Sequence, residues 1–292
     1  MSAMGLLLAV TFGAAPGLVV KDGTGHEVRL GTSAQRIVSL APHLTESLFA
    51  IGAGGLVVGT VDYSDYPEEA KRIPRVGGYN RFDLETVIAL QPDLVVGWQS
   101  GNPTALLERL RALGIPVFVS QPNHLEDVAD ELERLGTLTG LSPSAEAAAR
   151  AFRERLGGLR ERAAGRPVVR VFYQVWHRPI MTVGGGQMIS DVIHLCGGEN
   201  VFGSLGSLTP TVSEEAVLAA DPEAIIASGM GEARPEWLDT WKKWSRLTAS
   251  ARKNLFFIPP ELIQRHTPRV LDGAERLCRF LEAAREHRPT AR

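Results

Sequence analysis

The sequence is poor in cysteine, has no long hydrophobic run and carries almost no net charge. No apolar stretch in its 292 residues approaches the length of a membrane-spanning helix. The formal net charge of −2 at pH 7 does not indicate a protein that binds nucleic acid or an anionic membrane surface, because such proteins carry an excess of basic residues. The two cysteines, Cys196 and Cys278, are compatible with one disulfide in an oxidising compartment and do not make a metal site by themselves.

Sequence signatures of common enzyme classes are also missing. The first predicted strand is not followed by a Gly-x-Gly-x-x-Gly nucleotide motif, and the sequence has neither a phosphate-binding loop nor a Gly-x-Ser-x-Gly elbow. The glycine run 184–186 lacks the spacing of a nucleotide-binding loop, so it predicts a turn. Four histidines lie near predicted strand ends: His43, His124, His177 and His266. A metal site built from them is conceivable, although no pair has the close spacing typical of zinc ligands.

The sequence does contain a regular alternation of strand-like and helix-like segments. Short apolar runs, such as 36–40, 93–98 and 224–227, lie next to segments with helical periodicity. This order predicts parallel sheets covered by helices, and therefore an α/β fold. The length is typical of roughly two domains, and 44% hydrophobic residues are enough to give each a core.

One long helix is predicted between the two halves of the chain, over residues 145–162. It is rich in strong helix formers, and its apolar positions form one stripe that consists of Ala148, Phe152, Leu156 and Leu159. Ser142 and Ser144 are candidate N-caps. We interpret this helix as a stiff connector between two α/β lobes, and the alternative is an ordinary crossover helix within a single sheet.

An internal repeat supports the interpretation as two lobes. Residues 84–96 (LETVIALQPDLVV) are similar to residues 214–226 (EEAVLAADPEAII), and Glu85 and Glu215 fall at the same place in the two copies. Two lobes of common design explain this better than one extended sheet, although a helix-Pro-strand pattern can also recur by chance. The predicted division is a lobe of residues 17–141, a connecting helix of residues 142–165 and a lobe of residues 166–292.

Residues 1–16 are similar in part to a secretory signal. An apolar run over residues 4–12 is followed by small residues at 13–15, as near a signal cleavage site. No Lys or Arg precedes the run, and Pro16 follows the candidate site. We expect export, and the alternative is a strand or an arbitrary start.

Aromatic side chains are predicted just beyond several strands. They are Tyr63, Trp98 and Trp176, with Tyr79 in the loop 77–80. Ligands of open α/β sheets bind beyond the carboxyl ends of the strands. A cleft between two lobes that is lined in this way suits a large planar ligand with polar edges. For each ring separately, the alternative is an ordinary core position at the end of a strand.

Five segments make the chain similar to the periplasmic cobalamin-binding proteins of ABC importers. They are residues 36–46 (RIVSLAPHLTE), 63–67 (YSDYP), 84–94 (LETVIALQPDL), 98–102 (WQSGN) and 196–200 (CGGEN). The resemblance covers residues 18–285, and the second and fourth segments are its more specific parts. The opening strand and helix are shared with siderophore- and haem-binding relatives.

The resemblance implies two Rossmann-like α/β lobes joined by a single long rigid helix, with the ligand in the cleft between them. The cobalamin-binding residues that it implies are Tyr63, Tyr79, Trp98, Trp176 and Arg265. A known member has Trp where Thr209 stands and a Trp-Phe pair where residues 262–263 stand. The C-terminal wall of the cleft is therefore expected to be less aromatic in this chain.

The resemblance also implies roles for two further pairs of residues. It places Cys196 and Cys278 in one lobe, where secretion would let them form a disulfide, and the alternative is two separate buried thiols. It implies that Glu85 and Glu215 dock on two related faces of a permease dimer. The alternative for the glutamates is stabilisation of a helix N-terminus by its dipole.

The predicted function is that of a periplasmic, monomeric substrate-binding protein. It captures cobalamin or a related corrinoid and delivers it to an ABC permease at the inner membrane, and it is not an enzyme. No catalytic cofactor, metal or nucleic acid is expected. The alternatives are a haem- or siderophore-binding protein of the same fold and, from other classes, a zinc-type metal carrier or a cleft enzyme.

Overall fold

The computed structural model describes residues 17–229 and 233–289, so the predicted export segment 1–16 lies outside the described residues. The described chain begins with an antiparallel hairpin, made of β1 (Leu18–Lys21) and β2 (Glu27–Leu30). The side chain of Asp22 closes the turn, because it accepts hydrogen bonds from the backbone N–H groups of Thr24 and His26, both at 2.9 Å.

The first α/β lobe follows this hairpin. Its elements are β3 (Ile37–Ser39), α1 (Pro42–Ala50), β4 (Val57–Thr60), β5 (Gly77–Gly78), β6 (Arg81–Phe82), α2 (Leu84–Ala89), β7 (Leu94–Trp98), α3 (Thr104–Ala112), β8 (Val117–Ser120) and α4 (Leu125–Thr139). Four strands form a parallel sheet in the order β4-β3-β7-β8. The predicted elements are present, whereas the short antiparallel pair β5 and β6 was not predicted.

The connecting helix α5 (Ser142–Ala163) confirms the long helix predicted over residues 145–162. Phe152, Leu156 and Leu159 are buried as expected. The prediction of Ser142 or Ser144 as N-cap was wrong, because Leu141 occupies that position without a side-chain cap and Ser142 is already helical.

The second α/β lobe repeats the organisation of the first. Its elements are β9 (Val169–Gln174), β10 (Trp176–His177), β11 (Ile180–Met181), α6 (Met188–Leu195), β12 (Gly198–Asn200), α7 (Glu214–Ala220), β13 (Ala224–Ala227), α8 (Thr248–Ala251), β14 (Leu255–Phe257) and α9 (Val270–Glu286). Between β13 and α8, a 3₁₀-helix is formed over Glu236–Lys243. The hairpin of β10 and β11 was not predicted.

The two parallel sheets have the same strand order. In the second sheet it is β12-β9-β13-β14, so the first, second, third and fourth strands of each lobe occupy matching places. The two copies of the sequence repeat are α2 with β7 and α7 with β13, which are equivalent elements of the two lobes. Among residues 17–229 and 233–289, no helix combines the length and apolar character needed to cross a membrane.

Helix α5 contacts both lobes. On one side, Arg155 pairs with Asp272 and Glu275 of α9, the latter at 3.0 Å. On the other, Arg153 pairs with Asp130 of α4 at 2.7 Å. One apolar cluster also contains residues of α4, α5 and the second lobe. The connector is thus held along its length by packing and by ion pairs.

The predicted disulfide is present in the second lobe. Cys196, directly after α6, is bonded to Cys278 of α9, and their Cα atoms are 4.7 Å apart. The bond ties the helix after the first strand of this lobe to the final helix.

Candidate ligand-binding site

Residues just beyond the strands of the two sheets meet at the boundary between the lobes. Trp98 ends β7 and Tyr63 follows β4 in the first lobe. Arg265 and His266 follow β14 in the second lobe, and they contact these first-lobe residues as described below. The boundary therefore has the position that a ligand cleft takes in open α/β sheets.

An aromatic cluster lies at this boundary, with the Trp98 ring at its centre. The ring centroid of Trp98 is 5.8 Å from that of Tyr79, 5.2 Å from that of His43 and 6.3 Å from that of His266. Tyr79 is 37% exposed and Trp98 is partly buried. The rings of Tyr79 and Trp98 are therefore partly accessible, whereas His43 and His266, the latter from the second lobe, are buried beside them.

The segment 98–102 supports the Trp98 ring, which explains its sequence. The Asn102 side chain accepts a hydrogen bond from the backbone N–H of Trp98 at 2.6 Å and donates to the carbonyls of Leu40 and Tyr79 at 2.8 and 2.7 Å. A Cβ atom at Gly101 would lie 1.9 Å from the Trp98 ring. The segment therefore fixes Trp98 and Tyr79 relative to each other.

The segment 63–67 forms the edge of the first lobe that faces Arg265. Tyr63 is 74% exposed, and its φ of 64° is unusual for a residue other than glycine. Its carbonyl accepts a hydrogen bond from Arg265 at 3.1 Å, and Arg265 pairs with Asp65 at 2.7 Å. The guanidinium of Arg269 lies 3.8 Å from the ring centroid of Tyr66, a cation–π geometry.

A buried carboxylate, Glu46 of α1, joins the two lobes behind these residues. It is 3% exposed and accepts a hydrogen bond from Thr267 Oγ1 at 2.7 Å. Its other oxygen lies 3.4 Å from Arg269 and 3.7 Å from Arg265. Burial raises the pKa of Glu46, while the hydrogen bond from Thr267 and the two arginines oppose that rise.

The histidines at the boundary are uncharged near neutral pH. Burial lowers the pKa of His266 to about 4, and burial, with His266 and Arg265 nearby, lowers the pKa of His43 well below its usual value. Within the described residues, Nε2 of His43, both ring nitrogens of His266 and Nε1 of Trp98 are buried without a hydrogen-bond partner. The rings of His43, His266 and Trp98 at the boundary are therefore uncharged at neutral pH.

The four histidines for which a shared metal site was conceivable do not lie together in the described structure. His43 and His266 meet, with ring centroids 5.6 Å apart. His124 lies beside Asp191 at 3.8 Å, and His177 stacks on Trp237 at 5.5 Å. Across residues 17–229 and 233–289, no group of three or more potential ligands could hold a metal ion.

Trp176 lies in the second lobe, in the hairpin of β10 and β11. The centroid of its ring lies 4.9 Å from that of His177. Within the described residues, the Trp176 ring does not contact the Trp98 ring. In this hairpin Trp176 pairs with Met181, and paired residues share one face of a sheet. Leu262 and Ile263, which stand where a resembling protein has aromatic residues, are buried in the core of the second lobe.

Glu85 and Glu215 occupy equivalent places in the two lobes. Each is exposed and is the second residue of its helix, α2 or α7. Asp83 and Ser213 are the N-caps, and the side chain of each accepts a backbone N–H of the first turn. A backbone hydrogen bond and, to a smaller extent, a hydrogen bond from Ser213 lower the pKa of the Glu215 carboxyl.

Sequence reasoning missed the contacts that cross the boundary. Glu46 was seen only as part of a resembling segment, and Thr267 and Arg269 were not considered. His43 was considered only as a metal ligand. The available signal was spacing, because positions 43 and 46 lie on one face of a helix, and two polar residues on a buried face require partners.

The comparisons with known proteins agree with this architecture. The profile described as "Periplasmic binding protein" matches residues 37–262. A vitamin B12-binding protein of Vibrio parahaemolyticus is 37% identical over 254 residues, which are 87% of this chain and 92% of that protein.

Solved structures extend the comparison. The periplasmic vitamin B12-binding protein of Vibrio cholerae is 36% identical, with a TM-score of 0.80 over 87% of this chain and 98% of its own. A periplasmic haem-binding protein from Pseudomonas aeruginosa is 26% identical, with a TM-score of 0.74 over 88% and 95% of the two chains. The chain therefore belongs to the periplasmic binding protein family.

Proposed function

We propose that this protein captures a corrinoid, cobalamin or a close relative, in the cleft between its lobes and delivers it to an ABC permease. The observation that carries the proposal is the Trp98 cluster at the lobe boundary, which offers aromatic faces to a large planar ligand. Its relatives include vitamin B12-binding proteins of similar length. Tyr63, Trp176 and Arg265 complete the proposed binding set.

The charges at the boundary favour a corrinoid over haem. A corrinoid such as cobalamin carries mainly uncharged carboxamide side chains, whereas haem carries two carboxylates. Arg265 is already paired with Asp65 and Glu46, and the buried histidines are neutral. Burying a carboxylate without a charged partner is costly, so a ligand with amide edges suits this surface better. A siderophore complex of high charge is disfavoured for the same reason.

Calorimetric titration tests the choice of ligand. Cyanocobalamin, haemin and a ferric hydroxamate siderophore are titrated separately into the same protein, and the absorbance spectrum of the complex is recorded. We expect tight binding of cyanocobalamin and its recovery unchanged, because no chemistry on the ligand is proposed. Binding of haemin or of the siderophore complex in its place would contradict the proposal.

Substitution of Trp98 tests whether the ring contacts the ligand. Aromatic contacts contribute about 0.5–1.5 kcal/mol each beyond the area that they bury, so Trp98→Ala should weaken cyanocobalamin binding by about tenfold or more. Trp244→Ala is the matched control, because Trp244 is 37% exposed and donates to Glu214 at 3.2 Å in the second lobe. Equal affinities of the two variants for cyanocobalamin would contradict a contact between Trp98 and the ligand.

Delivery is proposed to depend on Glu85 and Glu215. Two exposed carboxylates at equivalent places in the two lobes suit two basic pockets on a permease dimer, and charges of this kind act on orientation and encounter rate. The double variant Glu85→Ala with Glu215→Ala should bind cyanocobalamin normally and lose uptake into vesicles carrying the permease. Glu108→Ala with Glu199→Ala is the control, with one exposed acid removed from each lobe. Normal uptake with the first variant would contradict the docking role and leave stabilisation of a helix N-terminus as the role of the two glutamates.

The proposed setting is the periplasm, after removal of residues 1–16. The disulfide of Cys196 and Cys278 is typical of an oxidising compartment. We assign residues 17–141 and 166–292 to the two lobes of a monomer and residues 142–165 to the connector. Small-angle scattering with and without cyanocobalamin should give nearly the same radius of gyration, and a contraction on binding would contradict the rigid connector.

A further inference from the structure

Two carboxylates cross the lobe boundary in matching positions. Glu46 lies on α1, the helix after the first strand of one sheet, and reaches Thr267, just before the last helix of the other lobe. Asp191 lies on α6 and accepts the backbone N–H of Leu125, the first residue of α4, at 2.8 Å. Each lobe therefore contributes one acidic side chain, and that side chain contacts the start of the last helix of the other lobe.

The two contacts differ in what surrounds them. Asp191 is partly exposed, and besides Leu125 its recorded partner in the described residues is His124 at 3.8 Å. Glu46 is 3% exposed and faces two guanidinium groups, Arg265 and Arg269. Interactions between charges are screened less in a buried site than at a partly exposed one, so the contact of Glu46 with its two arginines is the more strongly coupled of the two.

The Glu46 contact also determines where the groups of the cleft edge lie. Through Arg265 it is linked to Asp65 and to the carbonyl of Tyr63. Through Arg269 it is linked to the face of the Tyr66 ring. His266, between these arginines, contacts the Trp98 cluster.

We propose that Glu46 is a positioning residue, which holds segment 265–269 of the second lobe against the first lobe and so preforms the cleft before ligand binds. Glu46 is enclosed in the boundary and does not itself contact the ligand. Its effect on affinity is exerted through Arg265, and this part of the inference depends on the proposed function. Its effect on segment 265–269 exists without any ligand.

Hydrogen exchange on the ligand-free protein tests the positioning itself. Glu46→Gln keeps the size of the side chain but replaces an acceptor that faces two cations by an amide. We expect the backbone amides of residues 265–270 to exchange about tenfold faster or more in this variant, because their anchor to the first lobe is weakened. Unchanged exchange over residues 265–270 would overturn the proposal.

Asp22→Asn is the matched control for this experiment. Asp22 is also a buried carboxylate, and its side chain accepts from Thr24 and Val119 and pairs with Arg111 at 3.4 Å, all within the first lobe. This variant should lower the melting temperature without changing exchange over residues 265–270. If it accelerates that exchange equally, the effect is general destabilisation, and the positioning role is refuted.

A double-mutant cycle with cyanocobalamin tests the link to Arg265. Glu46→Gln and Arg265→Ala should each weaken binding by about tenfold, and the combined variant should lose no more than Arg265→Ala alone, because Glu46 acts through Arg265. Additive losses would show that Glu46 acts by another route and would overturn this part of the inference. If Glu46→Gln does not fold, Thr267→Val removes the hydrogen bond to Glu46 from the other side and takes its place in both experiments.

The two proposals fail in different ways. If the unaltered protein does not bind cyanocobalamin, the proposed function is wrong, and the exchange experiment still decides whether Glu46 positions segment 265–269. If the unaltered protein binds cyanocobalamin while exchange and affinity are unchanged in Glu46→Gln, the function stands and the positioning role is wrong.

Discussion

Glu131 gives a quantitative test of how burial acts on a carboxyl group in this fold. It lies on α4, is 4% exposed, and accepts a hydrogen bond from Ser120 at the end of β8. Burial raises its pKa to about 7, although the Ser120 hydrogen bond and Arg134 oppose that rise. The folded protein therefore keeps this carboxyl protonated at pH values where the unfolded chain has already ionised it.

The size of the effect follows from proton linkage. As pH rises from the ordinary carboxyl pKa of 4.5 towards about 7, the unfolded state releases its proton first, so the folded state loses relative stability. One pKa unit corresponds to about 1.4 kcal/mol. Between pH 5 and pH 8 we expect Glu131 to reduce the free energy of unfolding by roughly 2–3 kcal/mol.

Glu131→Gln removes this titration while keeping the size of the side chain. Urea unfolding of both proteins at pH 5, 6, 7 and 8 gives the difference in unfolding free energy at each pH, and other titrating groups cancel because they are common to both. The difference should grow in favour of Glu131→Gln by roughly 2–3 kcal/mol over this range.

Glu126→Gln provides a control on the same helix. Glu126 is hydrogen bonded to Arg160, which holds its pKa below the usual value despite partial burial. This variant should not gain stability with rising pH. Parallel pH profiles for the unaltered protein and Glu131→Gln would refute the reasoning about Glu131.

The remaining predictions concern the disulfide, a buried histidine and a glycine. Cys196→Ala with Cys278→Ala should lower the unfolding free energy by about 4.5 kcal/mol in the chain-entropy model for a separation of 82 residues; equal stability in urea would contradict this. Because burial lowers the pKa of His266 to about 4, stability should fall as pH decreases from 6.5 to 4, and less steeply in His266→Ala; identical acid profiles would argue against it. Gly101→Ala should weaken cyanocobalamin binding several-fold, because the new Cβ atom would displace the indole ring of Trp98. Gly55→Ala is the control, because a Cβ atom at Gly55 would lie in open space. Equal affinities of the two variants for cyanocobalamin would contradict the prediction.

Local sequence patterns predicted the parts of the fold that have a clear period. Buried strands such as 224–227 and the apolar stripe of α5 were found because both follow from side-chain spacing. Strands of two residues, such as β5 and β10, contain no period to detect. The 3₁₀-helix at 236–243 cannot be distinguished from an α-helix by such patterns, because side chains spaced by three residues lie on one face of both kinds of helix.

The sequence indicated candidate site residues at strand ends and in one loop. Trp98 was expected at the end of a strand and Tyr79 in the loop 77–80, and their ring centroids lie 5.8 Å apart. The partnership of Glu46 with Thr267 joins residues 221 positions apart, and no local pattern indicates such a pairing. The sequence showed that position 46 is polar on a helix face, but its burial follows from how the lobes pack.

Separation of the lobes would break contacts in this protein, and this affects how the ligand is captured and released. Moving the lobes apart would break the hydrogen bond from Thr267 to Glu46 and the pairing of Glu46 with Arg265 and Arg269. A preformed cleft loses little conformational entropy when ligand binds, which favours affinity. Glu85 and Glu215 stand on separate lobes. If a permease docks on both, as proposed, it would be placed to separate the lobes and break the Glu46 contact, which would open the cleft for release.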